Sequence, residues 1–71
     1  METRDEHVAW CKQRAREYLD RGDIKNAITS MLSDMGKRED TKVNHMLALL
    51  GMKVIVDHDP AEAKRFIEGF N

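Results

Sequence analysis

The stretch 46-MLALLGMKVIV-56 decides the fold of this chain. Its eleven residues carry a single charge, Lys53. Wound at 100° per residue, Val43, Met46, Leu47, Leu50 and Val54 fall on one face of a helix, and Leu49, Met52 and Val56 fall on another. A helix that is apolar all round needs cover on more than one side, which predicts a central helix wrapped by the remaining segments. Eleven residues are too few to span a bilayer, which takes about 20. The β-branched run Val54, Ile55, Val56 leaves a short strand over residues 53–56 as the local alternative. No other segment reads as a strand that could pair with it.

Gly51 interrupts the stretch at a cost of about 1 kcal/mol relative to alanine, which a close helix crossing at that point would explain. Towards the C-terminus, Asp59, Pro60, Ala61 and Glu62 form the clearest helix start in the chain, with Asp at the cap, Pro first and Glu third. The helix that follows reaches about Gly69 and is expected to bury Ala63, Phe66, Ile67 and Phe70. On the N-terminal side, residues 39–42 form a polar connection in which Asp40 or Thr41 can cap the central helix. Before it lies a helix over about residues 24–36, with a narrow stripe of Ile24, Ala27, Ile28, Met31, Leu32 and Met35. Gly36, Lys37 and Arg38 end it with residues suited to a helix C-terminus.

The first helix spans about residues 3–19. Thr3 as N-cap and Glu6 three positions on have the spacing of a capping box, and Asp5 and Glu6 suit the positive end of the helix dipole. Val8, Cys11, Ala15, Tyr18 and Leu19 make its apolar stripe. Gly22 can take the left-handed conformation that closes this helix, and Asp23 can cap the next. Tyr18 and the five methionines are expected in the core, the methionines filling irregular gaps.

The fold class is therefore all-α, four short helices arranged as two stacked antiparallel hairpins within one domain covering residues 1–71. A chain this short buries only about 60% of its unfolded surface, so self-association would relieve marginal stability. Twelve basic and thirteen acidic residues leave a net charge of −1. The two signs are interspersed, which disfavours nucleic acid as a partner. One cysteine, Cys11, permits no intrachain disulfide, and the residues after Met1 are charged where an export signal needs an apolar run. A cytoplasmic protein is the expectation.

A shift of 36 residues superimposes Asp23 on Asp59 and Ala27 on Ala63, together with Cys11 on Leu47, Tyr18 on Val54, Leu19 on Ile55 and Met31 on Ile67. Self-similarity at this period marks helical repeats. Tyr18 and Ala27 in the first hairpin, and Leu50, Gly51 and Ala63 in the second, resemble the tetratricopeptide repeat, as does the turn within AREYLDRGDIKNAI. The chain departs from that pattern at Arg14, Ala15 and Asp34, so the resemblance implies a degenerate version of the fold. Across most of the chain, AWCKQRAREYL, GDIKNAITSMLSDMGK and RFIEGFN are similar to short proteins of unassigned role encoded by actinobacteriophages. That likeness implies a source and supplies no functional residues.

Chemistry is sparse. His7 and Cys11 at i and i+4 could offer two metal ligands, with His45 or His58 as a third, but no paired Cys/His spacing accompanies them. Cys11 as a nucleophile with His7 as its base lacks an orienting acid and a substrate pocket. Asp57, His58 and Asp59 read as a turn with a helix cap. No catalytic, cofactor-binding or metal-binding residue is assigned, and no enzyme, cofactor or small-molecule substrate is expected.

Trp10 points about 130° away from the stripe of its helix, among Glu6, Gln13, Arg14 and Glu17. An exposed tryptophan beside arginine has the character of an interface hot spot, unless helix four or the polar connection covers it. Trp10, Arg14 and Glu17 are thus the candidate partner-binding residues. The expected function is a small protein-interaction module that binds a host or phage protein or itself, through an apolar groove or this Trp10 face. The alternative is a helix-turn-helix regulator of nucleic acid with Lys37, Arg38 and Lys42 on phosphates, disfavoured because its recognition helix would be apolar.

Overall fold

The computed structural model describes residues 3–70. These form α1 (Arg4–Asp20), α2 (Ile24–Met35), α3 (His45–Asp57) and α4 (Pro60–Glu68), with no strand among the described residues. Residues 53–56 are helical. No helix among the described residues is long and apolar enough to cross a membrane.

Local chemistry sets most of the helix ends. Thr3 Oγ1 accepts from the Glu6 amide at 3.1 Å while Glu6 Oε1 accepts from the Thr3 amide at 3.2 Å, a complete capping box. Asp23 caps α2 through the Asn26 amide, and the Asn26 side chain also holds that carboxyl below its ordinary range. Gly22 takes a φ of +76°, open to glycine at little cost. Asp59 accepts from the Ala61 amide at 3.0 Å with Pro60 first in α4.

One cap differs from expectation. Asn44, not Asp40 or Thr41, caps α3 by accepting from the Leu47 amide at 2.8 Å. Asp40 is engaged by Arg38 at 2.8 Å, and the Thr41 hydroxyl donates to the Met35 carbonyl at 2.6 Å, closing the end of α2. With both residues bound to what precedes them, α3 starts later.

The helices form two consecutive hairpins. α3 lies against α2, and α4 lies against both α1 and α2, whereas no Cα of α1 comes within 8 Å of α3. Contacts between the hairpins thus run through α2 and α4. The Arg16 guanidinium binds both Glu68 carboxylate oxygens at 2.7 and 3.0 Å, and Lys12 donates to the Glu68 carbonyl at 3.1 Å, tying α1 to the end of α4.

The centre of the molecule is α2 and not α3. Ile24, Ala27, Ile28, Met31, Asp34 and Met35 of α2 are buried, against only Gly51 and Val54 in α3. The expectation that the others wrap α3 is overturned: Met46 and Val56 are 74% and 81% exposed, and Leu49, Leu50 and Met52 are exposed as well. The physical reason lies in the number of helices available. α2 and α4 both pack on one side of α3, and no further helix among the described residues covers the other. The methionines divide accordingly, Met31 and Met35 in the core and Met46 and Met52 outside it. Met1, assigned with them to the core, lies outside the described residues.

Gly51 sits at the close crossing that its sequence position predicts. A Cβ there would meet Leu32 Cδ1 at 3.0 Å, Ile28 Cγ2 at 3.2 Å and Phe66 Cζ at 3.3 Å. In the core as a whole Cys11, Ala15, Ala27, Ile28, Met31, Ala63 and Ile67 are fully buried, and Phe70 is nearly so. Burying a side chain such as Ile28 or Ile67 contributes about 1.5–3 kcal/mol. Tyr18, Leu19 and Phe66 are half-buried at the margin of this core.

Candidate functional site

Two surfaces are candidates for a functional site. The first centres on Trp10. Trp10, Arg14 and Glu17, at i, i+4 and i+7, share one face of α1, and the structure joins the first two to a group that sequence reading treated only as a departure. Asp34 is a buried carboxylate on α2, 2% exposed. It accepts from Arg14 Nε at 2.8 Å, Lys37 Nζ at 3.0 Å and Ser30 Oγ at 3.3 Å. Two cations and a hydroxyl therefore compensate its desolvation.

Those two cations also cover Trp10. Arg14 Cζ lies 5.0 Å and Lys37 Nζ 5.1 Å from the indole ring centroid, within cation–π range. The His7 ring stacks nearby at 5.9 Å with an interplanar angle of 28°. Trp10 remains 39% exposed, and neither α4 nor residues 39–42 supply these ring contacts. Glu17 stays apart from Asp34: its carboxylate accepts from Gln13 Nε2 at 3.5 Å and its carbonyl from Arg21 Nε at 3.3 Å. Asp34 was legible in one respect. It falls at i+7 from Ala27 and i+3 from Met31, a charge inside a core stripe, which demands cations from elsewhere in the fold.

His7 is buried. Its Nε2 is 2.8 Å from the Asp34 carbonyl, so this nitrogen carries the proton and donates. The Cys11 thiol lies 3.6 Å from the same nitrogen and is wholly buried. A protonated Nε2 cannot take the thiol proton, so the pair is not arranged as nucleophile and base. His45 and His58 stand at opposite ends of α3, away from α1. Among the described residues no group of three His, Cys, Asp or Glu side chains is placed to hold a metal.

Asp57, His58 and Asp59 make the turn expected of them. His58 closes α3 in the left-handed conformation at φ 53°, and Asp59 caps α4. Asp57 accepts from Lys53 Nζ at 2.6 Å. That bond lowers the Asp57 carboxyl below its ordinary range and raises the Lys53 ammonium above its own.

The second surface is the outward side of α3. Met46, Leu49, Leu50, Lys53 and Val56 fall within an arc of about 120° at helical spacing, and Met52 extends it. The Lys53 head is drawn aside to Asp57 and, at 3.5 Å, to Glu62, leaving its four-carbon stem across the apolar face. Beside this face an open groove runs between α3 and α4, lined by Leu47, Leu50, Phe66 and Phe70 together with Arg4, Lys42, Arg65 and Asp40, the last paired with Arg38. Neither Lys42 nor Arg65 makes an ion pair among the described residues. Of the cations expected to meet phosphates in a nucleic-acid reading, Lys37 is held by Asp34, and Arg38 binds Asp40 through Nε and Nη2, each at 2.8 Å. Sequence reading found the apolarity of α3 and missed its exposure, which depends on contacts remote in the chain. Compared with protein-family models, with curated proteins and with solved structures, the chain matches none.

Proposed function

We propose that the protein acts by contact with another polypeptide, and that the outward face of α3 is the surface it presents. One observation carries this reading: five large apolar side chains, Met46, Leu49, Leu50, Met52 and Val56, stand exposed on one thirteen-residue helix. At these exposures they offer roughly 500 Å² of apolar surface, near the upper end of what a soluble monomer displays, and such patches mark interaction sites. The adjoining groove extends the face with the half-buried Leu47 and Phe66. The Trp10 face serves less well, because Arg14 and Lys37 already lie against its ring and are held there by Asp34.

In this reading the protein acts by binding, with the binding energy coming from burial of the apolar face and polar residues at its rim. A photo-crosslinking side chain placed at Leu49 and, as control, at Thr29 on the exposed side of α2 tests it in cells. Crosslinked polypeptide, whether the same chain or another, is expected at Leu49 and not at Thr29. Equal yields at the two positions, or none at Leu49, would refute the reading.

A further inference from the structure

The geometry points to a second copy of this chain as the occupant of the α3 face, seated antiparallel about a two-fold axis. The inference rests on the reading of that face as an interaction surface and adds the partner and its orientation. The two ends of this apolar face carry opposite charge. At the start of α3 stand Lys42 and Arg65, which form no ion pair among the described residues. At the other end stand Asp57 and Glu62, two carboxylates sharing the single ammonium of Lys53. A parallel copy would set cations against cations and carboxylates against carboxylates. An antiparallel copy sets each cationic end on the partner's acidic end, and like-charge juxtaposition is what excludes wrong arrangements.

The apolar residues obey the same symmetry. With the axis passing level with Gly51, Met46 meets Val56 of the second copy, Leu50 meets Met52, and Leu49 meets the stem of Lys53. Each large side chain has a partner across the axis, as an isologous contact requires. Met46 and Val56 are about 15 Å apart along the helix, so the whole face is used. Roughly 500 Å² of apolar side chain from each copy, with the charged ends added, approaches the about 800 Å² per partner of a stable interface. A chain of 71 residues gains proportionately more from such burial than a larger one.

Sedimentation equilibrium on the full chain tests the proposal with two complementary double variants. Lys42→Glu with Arg65→Glu makes both ends acidic, and Asp57→Lys with Glu62→Lys makes both ends basic. The wild type is expected to dimerise reversibly. Each double variant alone should self-associate at least about tenfold more weakly, while an equimolar mixture should form a heterodimer, since only the mixed pair is complementary at both ends. Leu49→Glu, at a half-exposed position away from the core, should abolish self-association without loss of helicity. A heterodimer from the mixture also shows that both variants fold. If the basic pair is unfolded by circular dichroism, Asp57→Asn with Glu62→Gln replaces it, and if the acidic pair is, Lys42→Gln with Arg65→Gln replaces it; either neutral pair should weaken self-association relative to wild type.

A wild type still monomeric at about 1 mM, the weak limit of a specific contact, overturns the proposal. So does a dimer equally tight in the wild type and both double variants. A monomer that nevertheless crosslinks another polypeptide through Leu49 removes the second copy and leaves the interaction reading standing. A monomer without such crosslinks removes both.

Discussion

Arg14→Met together with Lys37→Met would strip Asp34 of both cations while keeping the stems that lie on Trp10. The Asp34 side chain is 3% exposed, whereas those of Arg14 and Lys37 are 45% and 57% exposed. The loss is therefore asymmetric. Removing the carboxylate frees two cations that can turn to water, so Asp34→Asn should cost about 1–2 kcal/mol, the scale of a charge-assisted hydrogen bond partly replaced by solvent. Removing the cations leaves a buried carboxylate with only Ser30 Oγ at 3.3 Å, and breaking a buried pair in this way costs about 3–5 kcal/mol. At 0.05–0.15 kcal/mol per residue the whole domain holds only about 4–10 kcal/mol, so the double variant should lose between about a third of its stability and all of it. The triple variant, with Asp34→Asn added, should regain most of it. Urea unfolding followed at 222 nm reads all four proteins. The reasoning fails if the double variant is no less stable than Asp34→Asn, or if the triple variant is less stable than the double.

Gly51→Val places branched side-chain atoms where a Cβ alone already meets Leu32, Ile28 and Phe66 within 3.3 Å. Ile28 is fully buried and has nowhere to move, so a loss of at least about 2 kcal/mol is expected by urea unfolding, and a neutral result would place α3 farther from α2. Thr3→Ala removes the capping-box acceptor at the start of α1 and should lower stability by about 1 kcal/mol, observed as a fall in Tm of about 4–8 °C. Glu68 has its carboxyl held below the ordinary range by its hydrogen bonds to Arg16. The folded value is the lower one, so the stabilisation is full above the unfolded value near 4.5 and is lost as pH falls through the folded value. The pair is surface-exposed, so Glu68→Gln should cost at most about 1 kcal/mol at pH 7, and the gap in Tm to wild type should close in acid below the ordinary carboxylate range. A gap that persists there would mean that the side chain acts through packing.

How much of this was legible in the sequence follows the range of the forces involved. The capping box at Thr3 and Glu6, the left-handed Gly22, and the Asp59–Pro60 start of α4 involve partners within three residues, and all were read correctly. The cap of α3 was misread because Asp40 and Thr41 answer to Arg38 and Met35, on the preceding side, which leaves Asn44 to the task. Gly51 was readable as a close crossing because a glycine inside an apolar helix has few other reasons to be there. Asp34 was noticed only as a departure, since one of its compensating cations, Arg14, lies 20 residues away in the chain.

By itself the sequence determined four helices, their approximate ends and the apolar stripes of the first, second and fourth, because these follow from side chains acting on their own backbone neighbours. Only the tertiary structure decided which helix is the core. Hydrophobicity says that a segment prefers burial, but burial requires covering partners, and the number and side of those partners are properties of the whole chain. α2, with the narrower stripe, lies against all three other helices and is buried. α3, the most apolar segment, is covered from one side alone, and its other side is left exposed.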